Sequence, residues 1–200
     1  MRGKKQDLRL EAVRQRESLS PSEVHARSQL IQQTTVRFAP YRSARAVALY
    51  SPIGNEVATD NIRDHAFMTG KSVYYPRIAE ADHPALIRVQ SAQDLKPGRY
   101  GILEPVGDQN LPGGAESLAV FLPGLSFDLK GYRLGRGRGW YDRLLAGLKK
   151  GATLIALAYE FQVVDDVPVE ALDRRVHYII TESRIIDCRM RVAVGLGSGA

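Results

Sequence analysis

Cysteine is almost absent: Cys188 is the only one in 200 residues. No intrachain disulfide can form, and a cysteine-rich zinc site is excluded. The same scarcity suits a reducing compartment, so a cytoplasmic location is expected. The four histidines, His25, His65, His83 and His177, are scattered without an HxxxH pair, which argues against a histidine-built metal site. Long apolar runs are missing too. The longest candidates, Leu118–Leu122 and Leu154–Tyr159, have strand length, far short of the ~18–20 residues that span a bilayer. The basic start, Met1 to Arg9, has no apolar segment behind it and does not read as a secretory signal.

What is present is ordinary for a globular protein: 44% hydrophobic and 25% charged residues. Disorder and collagen-like structure are poor fits, and the length suits one domain over residues 1–200, with 195–200 as a frayed tail. Lysine and arginine outnumber aspartate and glutamate 28 to 22, a net charge of +6 that favours anionic partners.

Hydrophobic periodicity outlines the elements. Residues 3–18 read as a strongly charged helix with Leu8, Ala12 and Gln15 on one stripe and Lys5 and Arg9 one turn apart. Ser20-Pro21-Ser22-Glu23 is a capping box opening a second helix, with Val24, Leu30, Ile31 and Phe38 as its apolar side and Pro40 as its end. A buried strand is expected within Arg45–Tyr50, a loop at 51–55, a helix over Asp60–Met68, a strand over Ser72–Tyr75 stopped by Pro76, and another over Ala85–Val89. Residues 91–117 read as a long loop with short turns. Leu118–Leu122 is a core strand, Trp140–Lys150 a helix, Thr153–Tyr159 and Val176–Thr181 strands, and Ile185–Val194 the place for a last one. This alternation predicts an α/β fold with a mainly parallel sheet flanked by helices.

Residues 131–142, Gly-Tyr-Arg-Leu-Gly-Arg-Gly-Arg-Gly-Trp-Tyr-Asp, carry the chemistry. Glycines allow positive φ and close approach of backbone to a ligand. Arginine forks beside a helix start make a phosphate cradle. The spacing matches neither the Rossmann G-x-G-x-x-G nor a P-loop. An RNA-binding Arg-Gly tract is the competing reading, disfavoured because this run is short, single and set between core elements. Asp142, in the first helical turn, either binds a hydrated Mg²⁺ or complements the helix dipole. Glu56, after a Pro/Gly loop that follows a strand, sits where α/β folds place ligand contacts, and equally where a surface or capping carboxylate would sit.

These residues resemble the 5-formyltetrahydrofolate cyclo-ligase (5,10-methenyltetrahydrofolate synthetase) family from Lys5 to about Thr181. The strongest match is Leu122-Pro-Gly-Leu-Ser-Phe-Asp128 followed by Gly131 to Arg143, against the family's P-G-x-x-F-D and G-x-R-L-G-x-G-x-G-aromatic-Y-D-basic. Lys5-Gln-Asp-Leu-Arg9 is similar to its K-x-x-L-R, Glu56-Val57-Ala58-Thr59 to its E-V-x-T, and Tyr100 to Pro105 to its G-I-x-E-P turn. Leu172, His177 and Ser51 depart from the family's usual residues.

The resemblance implies a single α/β domain of the sugar-isomerase and CoA-transferase-like type. It also implies ATP- and Mg²⁺-dependent closure of 5-formyltetrahydrofolate to 5,10-methenyltetrahydrofolate, releasing ADP and phosphate. It assigns Lys5, Arg9, Arg133, Leu134, Gly135, Arg136, Gly137, Arg138, Gly139 and Tyr141 to ATP. Ser51, Glu56, Arg136 and Trp140 go to the folate, with Arg136 and Trp140 nearest the reacting formyl group, and Asp142 and Asp173 go to Mg²⁺. Core packing of the following helix is the alternative for Trp140. A monomer without nucleic-acid or membrane partners is expected. A related ATP-dependent enzyme acting on another N-formyl compound and a non-catalytic folate binder are the rival functions.

Overall fold

A computed structural model describes residues 2–77, 84–98, 101–112, 117–137, 139–148, 151–169 and 174–190. Arg138, Leu172, Asp173 and the tail at 195–200, all singled out above, lie outside the described residues.

The chain opens with helices α1 (Arg2–Glu17), α2 (Pro21–Arg37) and α3 (Ala39–Ser43) before strand β1 (Ala46–Ala48). The capping box forms as expected: the Ser20 hydroxyl accepts from the Glu23 amide, and the Glu23 carboxylate accepts from the Ser20 amide at 2.9 Å. Pro40 does not simply end α2. It occupies the first turn of α3, where its missing N–H costs nothing. The buried side of α2 is Ser28, Ile31, Gln32 and Thr35, while Leu30 faces solvent. On α1 the expected stripe is one residue off. Gln15 is exposed and Arg16 is buried.

Helix α4 (Asp60–Met68) leads to β2 (Ser72–Arg77) and β3 (Ala85–Val89). Pro76 does not stop β2, because it lies where the strand asks nothing of its nitrogen. Leu86, its register partner on β3, turns its carbonyl away from β2 toward the Leu111 amide, so Pro76 and Leu86 form a non-hydrogen-bonded pair. The Pro76 nitrogen then faces the side beyond the end of β1.

The expected long loop contains a hairpin, β4 (Leu95–Pro97) with β5 (Leu103–Pro105). After β6 (Leu118–Leu122) come β7 (Ser126–Asp128) and β8 (Arg133–Leu134), which the glycine-rich reading did not anticipate. Asp128 explains them. It is fully buried; Oδ1 accepts from the Lys130 and Tyr132 amides at 2.9 Å and Oδ2 from the Val167 amide at 3.2 Å, tying off the turn between the two strands. Helix α5 (Trp140–Ala146) is shorter than expected and stops at Gly147, a poor helix residue. The chain finishes with β9 (Thr153–Leu157), β10 (Val163–Val164), β11 (Tyr178–Ile180) and β12 (Ile185–Asp187).

The main sheet has seven strands in the order β12-β11-β9-β6-β1-β2-β3. Neighbours from β11 to β2 run parallel, and both edge strands are antiparallel. Alternate residues of the central strands feed two cores. Val47, Phe121 and Ile155 pack with Ile31, Tyr41 and Ile62 from α2, α3 and α4. Ala46, Val120 and Leu154 pack with Leu144 and Leu145 from α5. Burial on both faces is why these strands read as unbroken apolar runs. No described helix is long and apolar enough to cross a membrane.

Strand order reverses between β1 and β6: β2 and β3 extend one way, β9 and β11 the other. In open α/β sheets the carboxyl ends of strands at such a switch point frame a ligand crevice. Here those ends are the loops starting at Ser51 and Pro123.

Candidate functional site

A cleft of about 630 Å³ opens at that point, lined by Ser51, Ile53 and Glu56 after β1, Pro123 to Leu125 after β6, and Pro76 at the end of β2. That volume suits a small-molecule ligand. Lys5 and Arg9 of α1 reach it, as do Arg133 through Gly137, Gly139, Trp140, Tyr141 and Asp142. Every described residue assigned above to ATP, folate or Mg²⁺ therefore lines one cavity, although these residues span positions 5 to 142.

The basic side is built by close approach of α1 to the glycine loop. Arg9 Nε donates to the Gly135 carbonyl at 3.1 Å. Gly137 adopts φ +92°, and a Cβ there would stand 3.4 Å from Arg9 Cζ. This position needs glycine both for its backbone and for the guanidinium beside it. Leu134 is buried in the wall, and its carbonyl accepts from the Leu125 amide at 2.8 Å.

Arg133 points inward rather than out. Its side chain is 6% exposed, with Nη2 donating to Asp142 Oδ1 at 3.0 Å and Nη1 to the Pro123 carbonyl at 3.4 Å. The guanidinium lies over the Tyr141 ring, 5.3 Å from its centre, while buried Nε has no protein partner. Tyr141 is itself pushed far above the ordinary phenol range by burial and then by the charge of Glu56, so it stays protonated.

Glu56 is the buried carboxylate of the cleft. Its Oε2 accepts from the Ile53 amide at 3.0 Å; its Oε1 faces Arg16 Nη1 at 3.4 Å and Arg136 Nη2 at 3.5 Å. Burial lowers the Arg16 pKa from the usual arginine range, and Glu56 opposes that shift. Nearby Tyr50 is raised well above its ordinary value, by burial first and then by Glu56.

Trp140 is half-buried. It packs partly against the core beneath α5, meets Tyr141 edge to face at 4.9 Å, and also lines the cleft. Ser51 turns its hydroxyl to the Leu103 carbonyl at 2.6 Å, linking the loop after β1 to β5. Ile102 and Leu103 add an apolar wall.

Among the described residues no cluster of three or more His, Cys, Asp or Glu could hold a metal ion. Among the described residues, Asp142 is the partly exposed cleft carboxylate that could hold a largely hydrated Mg²⁺.

The 5-formyltetrahydrofolate cyclo-ligase family pattern matches residues 1–182. The mouse 5-formyltetrahydrofolate cyclo-ligase is 30% identical over 190 residues, covering 89% of this chain and 93% of the relative. The chain belongs to this family. The Haemophilus influenzae cyclo-ligase is 31% identical over 174 residues, covering 85% of this chain and 93% of its own. Among solved structures, the Aquifex aeolicus 5,10-methenyltetrahydrofolate synthetase superposes with a TM-score of 0.81 at 32% identity, covering 97% of both chains. The Mycoplasma pneumoniae 5,10-methenyltetrahydrofolate synthetase gives 0.71 at 25% identity, covering 89% of this chain and 98% of that one.

Two residues that matter to this cyclo-ligase-family cleft escaped the sequence reading. Arg16 shares the helical stripe of Lys5, Arg9 and Ala12, at spacings of four, three and four, and only its charge hid it. Gln162 donates from Nε2 to the Gly124 and Leu125 carbonyls at 2.9 and 3.0 Å, bracing the loop after β6. Its Oε1 accepts locally from the Tyr159 amide at 2.9 Å, but the two carbonyls it braces lie 37 and 38 positions away, beyond the reach of any local pattern.

Proposed function

We propose that this chain closes 5-formyltetrahydrofolate to 5,10-methenyltetrahydrofolate at the expense of ATP, with Mg²⁺, releasing ADP and phosphate, as a monomeric single-domain enzyme of the cytoplasm. The observation that carries the reading is the division of one cleft into two chemistries. Lys5, Arg9 and Arg136 offer cations for a triphosphate, while Glu56, Trp140 and the apolar wall offer a carboxylate acceptor, a π-face and hydrophobic contact for a pterin.

The reaction needs a poor leaving group made good. The formyl oxygen attacks the γ-phosphorus of ATP, and the bond to the ADP oxygen breaks. N10 then adds to the activated formyl carbon and loses its proton. The carbon–oxygen bond breaks, phosphate leaves, and N5 and N10 share the one-carbon bridge. No protein nucleophile is required, so positioning and charge stabilisation carry the catalysis. Lys5 and Arg9 hold the phosphate chain from one face of α1. Arg136, half-exposed and next to Gly137, follows the transferring phosphoryl group. Glu56 orients the pterin, with Trp140 against it. Asp142 would hold Mg²⁺, which supplies charge neutralisation between phosphate oxygens.

The test is direct. Purified protein is mixed with 5-formyltetrahydrofolate and MgATP, and the near-UV absorbance of the methenyl product is followed. A rise that requires both ATP and Mg²⁺ is expected. No rise from folded protein beside a working control would overturn the folate assignment.

A further inference from the structure

Among the described residues the charged ones buried as a whole are Arg16, Glu56 and Asp128, and the Arg133 side chain, 6% exposed, is accounted for by its pair with Asp142. Asp128 is accounted for by the three backbone amides it accepts from. Arg16 and Glu56 face one another, and Arg16 has no part in the reaction as written. Buried charges persist only when paired, so the pair has to be read together.

Glu56 Oε1 lies between two guanidiniums of different character. Arg136 is 51% exposed and stands on the glycine loop; Arg16 is 5% exposed and belongs to α1. Arg16 is also seated from other directions. Its Nη1 lies 3.5 Å from the Gly124 carbonyl, and its own carbonyl accepts from Asn55 Nδ2 at 3.0 Å, one residue before Glu56. The same Asn55 amide reaches the Leu19 carbonyl at 3.0 Å, so the end of α1 and the loop carrying Glu56 are strapped together.

We infer that Arg16 is a positioning residue: it holds Glu56 fixed on the cleft wall, so that Arg136 can leave Glu56 for the substrates. Were Arg136 the sole partner, its departure would strand a buried carboxylate. With Arg16 in place, Oε1 keeps a cation throughout and Oε2 keeps the Ile53 amide. The inference rests on the proposed folate reaction and adds a residue that acts through Glu56.

A double-mutant cycle tests it, using Arg16→Gln, Arg16→Lys, Glu56→Gln and the combined variants. Two readouts are needed: 5-formyltetrahydrofolate binding without nucleotide, followed by fluorescence of Trp140, the chain's single tryptophan, and the KM for each substrate. Arg16→Gln should weaken folate binding on the order of tenfold, as for directly coupled neighbours, with the ATP KM little changed. Arg16→Lys should recover part of that loss, because an ammonium restores charge without the fork. In the Glu56→Gln background Arg16→Gln should change folate affinity little further. Additive losses, or an ATP KM that moves as much as the folate KM, would overturn the assignment. If Arg16→Gln fails to fold, Arg16→Lys takes its place in the cycle, and an equal penalty in both backgrounds is again fatal. Failure of the unaltered chain to bind and turn over 5-formyltetrahydrofolate overturns the reaction and this inference together; turnover with an additive cycle removes Arg16 alone.

Discussion

Arg133 Nη2 and Asp142 Oδ1 meet at 3.0 Å, joining β8 to the first turn of α5 across the floor of the cleft. The arginine is nearly inaccessible and the aspartate is 29% exposed, so the pair presents its carboxylate side to the cavity. Asp142 thus has two claims on it: a guanidinium inside the wall and the proposed Mg²⁺ outside.

Replacing Asp142 by Asn separates them. The amide oxygen can still accept from Arg133, so the fold should survive with a loss of about 1–2 kcal/mol. Turnover should fall by about two orders of magnitude, the scale of losing one charge-stabilising group. Thermal melts and a Mg²⁺ titration of the rate check this. Unchanged rate and Mg²⁺ dependence would return Asp142 to a purely structural role.

Arg136→Ala should leave stability within about 0.5 kcal/mol, because the side chain is half in solvent. The rate constant should drop more than the folate KM rises, as for a contact that strengthens in the transition state. A raised KM with an unchanged kcat would assign Arg136 to ground-state binding.

His177 should make stability depend on pH. Its Nδ1 accepts from the Leu154 amide at 3.0 Å, which requires the neutral ring at that nitrogen. Burial first, then Arg189 and Arg174, lower its pKa against the opposing pull of Asp187. The folded pKa therefore lies below the unfolded one, and the unfolded chain takes the proton first. This contribution is complete above about pH 6.5 and is lost as pH falls through the folded pKa. Melting temperatures across that range should decline less steeply for His177→Gln. Parallel profiles would show that another group governs the slope.

Gly131→Ala should cost about 2–3 kcal/mol, from a strained backbone combined with a steric clash. Gly131 has φ +87°, and a Cβ there would approach the Val176 carbonyl oxygen to 2.4 Å. The denaturant midpoint measures this; a change below about 0.5 kcal/mol would mean that the turn after Asp128 relaxes freely.

Legibility followed the range of the interactions. Ser20 and Glu23 are three positions apart, so their capping box could be read directly. Asp60–Met68 and Leu118–Leu122 were read to the residue because their apolar spacing is local. Pro76 was misjudged because its tolerance depends on where β1 ends, a fact held by another strand. β7 and β8 were missed because the P-G-x-x-F-D match marks Asp128 without revealing that its buried carboxylate ties the turn to the distant Val167 amide.

The cleft divides in the same way. The glycine and arginine spacing of 131–142, together with the family resemblance at Lys5, Arg9 and Glu56, picked out residues that the fold brings to one cleft. By itself the sequence determined the alternation of helices and apolar strands, the caps, and the residue types able to meet phosphate. Tertiary structure alone decided which charges would be buried. Arg16 and Glu56 are 40 positions apart, and Gln162 is 38 from Gly124. A charge or carbonyl is satisfied by whatever lies within about 3 Å in space. That neighbour is set by strand order at the switch point between β1 and β6, which no local pattern along the chain encodes.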